Sequence, residues 1–161
     1  MISKDLHTKR FQLRILTPDL VTKSYLNWFL DIDASKFIVN RSYTLDSLRL
    51  YCLEKLKSDT CLFYGVFYEN THIGNIKFEP INFEERSAVL GVFIGDNNWR
   101  GKGVFKEIFH CISLELKTMG IAAIFLGVDI NNLTAIESYL KIGFTIIESN
   151  EYQLKMRFNL I

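Results

Sequence analysis

Residues 90–105 read Leu90-Gly91-Val92-Phe93-Ile94-Gly95-Asp96-Asn97-Asn98-Trp99-Arg100-Gly101-Lys102-Gly103-Val104-Phe105. The apolar run over 88–94 predicts a strand, and the polar stretch 96–103 predicts a loop. Beyond it, Phe105, Ile108, Phe109, Ile112, Leu116 and Met119 recur at helical spacing, with Gly120 as the stop. Gly101 and Gly103 let the backbone turn tightly and bring its N–H groups close to a ligand. Those N–H groups, at the positive end of the helix dipole, favour an anion. Arg100, Lys102 and Lys106 add positive charge at the same end. A pyrophosphate suits such a place; a solvated turn with incidental basic residues is the plainer alternative. The loop is not a Walker A sequence, and the dinucleotide pattern G-x-G-x-x-G lacks its third glycine.

Upstream, residues 11–16 alternate as a strand through Phe11, Leu13 and Ile15. Thr17-Pro18-Asp19 predicts a helix start, with Thr as N-cap and Pro in the first turn, and Leu20, Tyr25, Trp28 and Phe29 fall on that helix. Thr44 opens a second helix carrying Leu45, Leu48, Cys52 and Leu56. Residues 61–68 and 72–78 form a hairpin around Glu69-Asn70-Thr71, and residues 82–86 form a polar turn. Gly91 within the next strand predicts a bulge or a close backbone approach. Downstream, residues 121–128 hold almost no polar side chain and predict a strand buried on both faces. Asn131 or Asn132 caps a short helix ending at Gly143, and strands follow over 144–148 and 152–158. The order β-α-α-β-β-β-α-β-α-β-β predicts a mixed sheet with helices on its faces, an α/β or α+β domain spanning 1–161.

Composition narrows the function. Lys+Arg number 19 against Asp+Glu 18, a formal net charge of +1, so the global charge of a nucleic-acid binder is missing. Phe appears 13 times and 48% of the residues are hydrophobic, ample material for one core. Cys52, Cys61 and Cys111 contain no C-x-x-C, and His7, His72 and His110 form no H-x-x-x-H pair. Reduced thiols and no metal site are expected. No signal peptide, lipidation motif or bilayer-length apolar run is visible, so the expected setting is cytoplasmic, without a membrane partner.

A second informative block is Asn132-Leu133-Thr134-Ala135, followed by Tyr139, Lys141, Gly143 and Phe144. With Arg100-Gly101-Lys102-Gly103 after its strand, it resembles the acetyl-coenzyme A signature of GNAT acetyltransferases. That signature runs Arg/Gln-x-x-Gly-x-Gly/Ala and then N-x-x-A-x-x-x-Y-x-K-x-G-F, the latter matched at every named position. Leu16-Thr17-Pro18, Tyr25-Leu26-Asn27-Trp28 and His72-Ile73-Gly74-Asn75-Ile76 resemble the branch that acetylates ribosomal-protein N-termini. They look closer still to acetyltransferases of bacterial surface-sugar synthesis. The likeness covers residues 11–158.

The resemblance implies a mostly antiparallel, twisted sheet flanked by helices, with acetyl-CoA as cosubstrate and no metal. Phe93, Ile94 and Gly95 would pair with the pantetheine arm, and a backbone N–H there would polarise the thioester carbonyl. The N–H groups of Gly101, Lys102, Gly103, Val104 and Phe105, with Arg100 and Lys106 beside them, would hold the pyrophosphate. Asn132 would touch the pantetheine side, and Tyr139 would protonate the departing thiolate. The chemistry agrees: a phenol near pKa 10 can donate to a thiolate whose acid has pKa near 8.5.

Two departures matter. Phe105 replaces the final Gly or Ala of the loop pattern, and Val89 stands where many relatives carry a glutamate base. Glu79 is then one candidate base, with Glu84, Glu85 and His72 as others, and a base supplied by water or backbone is the alternative. Trp28, Asn27 and Arg41 are candidates to line the acceptor side. The expected reaction is acetyl transfer to a primary amine, either an amino sugar such as a nucleotide-linked one, or a peptide N-terminus. A non-catalytic acetyl-CoA-binding module is the competing class, and a nucleotide phosphotransferase is disfavoured by the incomplete loop. A monomer or a homodimer is expected.

Overall fold

Alternating apolar side chains build the sheet. The computed structural model describes residues 4–38 and 42–160. In it, β1 (Leu6–His7), β2 (Phe11–Ile15), β3 (Leu62–Tyr68), β4 (Thr71–Asn82) and β5 (Ser87–Ile94) each lie antiparallel to the strand before. β6 (Ala123–Asp129), β7 (Thr145–Ser149) and β8 (Gln153–Asn159) complete eight strands in the order β1-β2-β3-β4-β5-β6-β8-β7. Among these pairs only β5 with β6 is parallel. This is the expected mixed, mostly antiparallel sheet.

Helices cover both faces. Successive strand residues point to opposite sides, so Tyr64 and Phe63 of β3 enter different cores. On the Tyr64 side, α4 (Val104–Thr118) packs Ile108, Phe109 and Ile112 over Leu13, Val66 and Ile76. On the Phe63 side, α1 (Lys23–Leu30) and α3 (Leu45–Lys57) bury Tyr25, Trp28, Leu48 and Cys52. A four-residue helix, α2 (Ile32–Ser35), follows α1, and α5 (Leu133–Ile142) packs beside α4. Cys52 and Cys61 are buried thiols, and Cys111 is partly covered.

Several elements differ from expectation. Thr17-Pro18-Asp19 makes only a 3-10 turn, because the Thr17 hydroxyl donates to the Asp19 carboxylate rather than capping a helix. α1 starts at Lys23, where the Thr22 hydroxyl accepts from Tyr25 N. The strand irregularity falls between Phe78 and Ile81, where the cis Glu79–Pro80 bond sits, and not at Gly91. β6 is covered along its whole length on one face only: on the other, Ala123 is buried, Phe125 half-buried and Gly127 exposed. Asn132, not Asn131, caps α5, its side chain accepting from Ala135 N.

Candidate active site

β5 and β6 pair at only three positions: Ser87 with Ala123, Ala88 with Ile124 and Val89 with Phe125. Beyond Val89, β5 stays on β4 while β6 follows β8. The strands part, and the edge of β5 that faces β6 loses its ladder partner from residue 90 onward. A cleft of about 670 Å³ opens in the fork. Val92, Phe93 and Ile94 form one wall, and Asn132, Ala135 and Tyr139 form the other.

The loop at the mouth of the fork is held from three sides. Asp96 caps the 3-10 turn Asn97–Trp99 by accepting from Asn98 N. Trp99 packs edge-on against Phe11 at 5.3 Å and against Tyr68 at 4.6 Å. Arg10, from the β1–β2 turn, donates to the Glu107 carboxylate at 2.7 Å and to the Lys102 carbonyl at 3.0 Å. Gly101 and Gly103 adopt φ of 69° and 72°, which disfavours any residue with a Cβ. α4 therefore starts with fixed N–H groups that have no acceptor within the helix. Phe105 does not crowd them: its ring packs against Phe109 and Tyr139, at 5.4 and 5.3 Å.

The basic residues divide around this loop. Arg100 borders the cleft, whereas Lys106 borders a neighbouring hollow of about 580 Å³ with Gly103, Arg10, His110 and Lys141. Lys102 lies 5.5 Å over the Trp99 ring. Arg10 was invisible as a site residue in the sequence, since nothing local ties it to a loop some 90 positions away. The donor set suits phosphates, and the fork suits an extended, amide-bearing arm. The residues present thus fit coenzyme A.

Tyr139 reaches the cleft from α5, wedged edge-on against Phe105 and tilted on Phe144. Burial pushes its phenol up to about 12, so the proton stays on oxygen at neutral pH.

A second pocket, of about 240 Å³, lies between β5 and the helices α1 and α3. Tyr25, Phe29, Tyr43, Tyr51 and Phe63 surround it, and Gly91 and Lys77 complete it. Val92 and Phe93 border both the cleft and this pocket. A group in the pocket and one in the fork thus meet at these two residues.

Of the residues expected on the acceptor side, Asn27 is exposed and borders neither cavity. Trp28 does not border the pocket; it forms the backing against Tyr25, His72 and Phe93. Arg41 lies outside the described residues. Gly95 is buried under the Trp28 indole, and a Cβ there would overlap that ring.

His72 is no solvated hairpin residue. It stacks on Phe67 at 4.7 Å, its Nε2 meets Asn75 Oδ1 at 2.7 Å, and its buried Nδ1 finds no hydrogen-bond partner among the described residues. Burial lowers its pKa from 6.5 to about 4. Glu79 meets Lys55 at 2.7 Å and Lys77 at 3.0 Å. Burial pushes its carboxyl up, but the two lysines outweigh that and hold it below the usual range. Glu84 and Glu85 are exposed in the β4–β5 turn, and Val89 is 39% exposed beside Phe125. Sequence reasoning missed Tyr25, Tyr51, Lys77 and Gly91, which come together only when α1 and α3 lie on the paired strands β4 and β5.

Among the described residues no three His, Cys, Asp or Glu side chains gather to hold a metal ion, and no helix is long and apolar enough to cross a membrane. No curated protein matches the chain by sequence. The fold is similar to that of the ribosomal-protein alpha-N acetyltransferase RimL in complex with coenzyme A. The TM-score is 0.85 and the identity 12%, over 97% of this chain and 98% of that one. It is also similar to spermidine N-acetyltransferase from Vibrio cholerae with CoA and spermine (TM-score 0.81, 18% identity, 94% and 96% covered). The microcin self-immunity acetyltransferase MccE, with acetyl-CoA and AMP, is a further likeness (TM-score 0.81, 14% identity, 94% and 93% covered). The sequence profile described as acetyltransferase (GNAT) family matches residues 25–144. That match spans β3 to β5, the forked junction, the glycine loop and Tyr139, and the chain belongs to the acetyltransferase (GNAT) family.

Proposed function

We propose that this chain transfers the acetyl group of acetyl-CoA to the primary amine of an amino sugar seated in the aromatic pocket. One observation carries the reading: two cavities, one in the fork beside β5 and one under α1 and α3, share Val92 and Phe93. Acetyl-CoA supplies the activated acyl group. The free edge of β5 at Phe93 and Ile94 aligns the pantetheine arm through backbone hydrogen bonds and donates an N–H to the acyl oxygen. The first turn of α4, with Arg100, holds the pyrophosphate, while Arg10, Lys106, His110 and Lys141 face the remaining phosphate. Asn132 spends its side-chain oxygen on capping α5 and keeps its amide N–H groups for the arm.

Tyr139 holds a proton beside the position of the sulfur and releases it as the thiol leaves. That role speaks against a module that only binds acetyl-CoA. Glu79 is not the base in this reading, because two lysines occupy its carboxylate. The amine loses its proton to water, which β5 carbonyls can hold in place by accepting hydrogen bonds. Apolar faces of a sugar ring pack well on Tyr and Phe rings, and the pocket volume of about 240 Å³ admits one such ring. A peptide N-terminus is the alternative acceptor, since the same volume also takes a terminal residue.

Calorimetric titration with acetyl-CoA, and with ATP as control, tests the reading. Saturable binding of acetyl-CoA alone is expected, and Gly103→Glu should abolish it by placing a carboxylate and a strained residue against the phosphates. Thiol release on adding amino sugars or peptides then identifies the acceptor. Folded protein that ignores acetyl-CoA would sink the proposal.

A further inference from the structure

The aromatic pocket carries a charge pattern that acetyl transfer by itself does not require. Lys55 and Lys77 both pair with Glu79, at 2.7 and 3.0 Å. Two cations share one anion, so one positive charge is left over. Lys77 brings it to the pocket wall. Its ammonium has three N–H donors; Glu79 takes one, and the Tyr51 hydroxyl takes another at 2.7 Å. Tyr51 accepts in that bond, which leaves its own proton to donate. Two donors thus stand together in a pocket lined mainly by rings and aliphatic side chains, with Asn75 as a further polar group. Lys77 Nζ lies 5.3 Å from the Tyr51 ring centre and 5.9 Å from that of Phe63. Apolar walls weaken screening, so a charge-assisted bond to an anion is stronger here than in water. Among the described residues no carboxylate lines the pocket, so a polycationic amine meets repulsion.

Strand register sets the spacing. Lys77 stands across from Gly91, and Asn75 across from Phe93. Gly91 and Phe93 are two residues apart along β5, about 7 Å. Nothing lies within 4 Å of where a Cβ on Gly91 would stand, so the floor between the two points is open. An acceptor with its amine at Phe93 therefore reaches Lys77 with a group several bonds away.

We infer that the acceptor carries an anionic group, a carboxylate or a phosphoryl ester, at the far end of a compact body, and that Lys77 and Tyr51 read that group across Gly91. The inference rests on the acetyltransferase reading for the position of the amine. Free α-amino acids, with amine and carboxylate on one carbon, do not fit this spacing. A sugar phosphate or an aminomethyl-aryl carboxylate does.

Two matched pairs of probes test it: benzylamine against 4-(aminomethyl)benzoate, and glucosamine against glucosamine 6-phosphate. Each is titrated calorimetrically into protein saturated with coenzyme A. The anionic member of at least one pair should bind about tenfold more tightly or better. The first pair responds if a carboxylate is read and the second if a phosphoryl group is. Lys77→Met should erase the preference and leave acetyl-CoA affinity unchanged, which also shows that the variant is folded; Lys77→Arg should keep most of it. Equal binding within both wild-type pairs, or a preference that survives Lys77→Met, overturns the inference. If wild-type protein does not bind acetyl-CoA, the acetyltransferase reading falls instead, and the same pairs without coenzyme A still report on Lys77.

Discussion

Tyr139 and His72 are both enclosed by rings, and burial moves them in opposite directions for one reason: each is kept neutral. With its phenol near 12, Tyr139 stays protonated at any pH an assay would use. Tyr139→Phe should lower kcat by about 100-fold or more and leave the Kd for acetyl-CoA nearly unchanged, as read by thiol release and calorimetry. The wild-type rate should show no loss from this group up to pH 9. His72, lowered from 6.5 to about 4, binds its proton more weakly in the folded chain than in the unfolded one. Its neutral form fits the fold, so the stability it permits is full above pH 6.5 and is lost as pH falls through 4. The loss approaches about 3 kcal/mol at the acid end. Urea midpoints measured between pH 7 and 4 should fall less steeply in His72→Gln than in wild type.

At the scale of elements, Gly95 separates two explanations for one glycine. Its place after β5 suggests a close approach by pantetheine, yet the indole of Trp28 already covers its Cα. Gly95→Ala should therefore cost about 1–3 kcal/mol through overpacking, seen in urea unfolding, while acetyl-CoA affinity changes less than stability does. Trp28→Phe should relieve part of that cost in the double variant. The sequence could not show this, because Trp28 and Gly95 meet only when α1 lies on the sheet. The order of strands and helices was legible, since each periodic run is local. So were the glycine loop and Tyr139, which sit in contiguous motifs. The pocket was not: Tyr25, Tyr51, Lys77 and Gly91 come from four elements and carry no shared spacing. The Thr17–Pro18 start misled for a related reason. A competing side-chain bond, Thr17 to Asp19, decided where helix began.

For the whole molecule, the proposed site in the forked junction would make acetyl-CoA a bridge between β1–β5 on one side and β6–β8 with α5 on the other. Ligand that binds only the folded state at 100 times its Kd adds about 2.7 kcal/mol. Thermal scans should then rise by about 5–10 °C in saturating acetyl-CoA, and by far less in Gly103→Glu. An unchanged midpoint would mean that the folded chain does not bind the ligand. The same three-pair junction also bears on how the chain is made. Strands β1 to β5 lie side by side in the order in which they leave the ribosome, and each needs only the one before it. β6 must wait for α4 to cross the sheet, and β8 then slips between β6 and β7. During synthesis the half that holds the aromatic pocket can be shaped while the half that completes the forked cleft is still being translated.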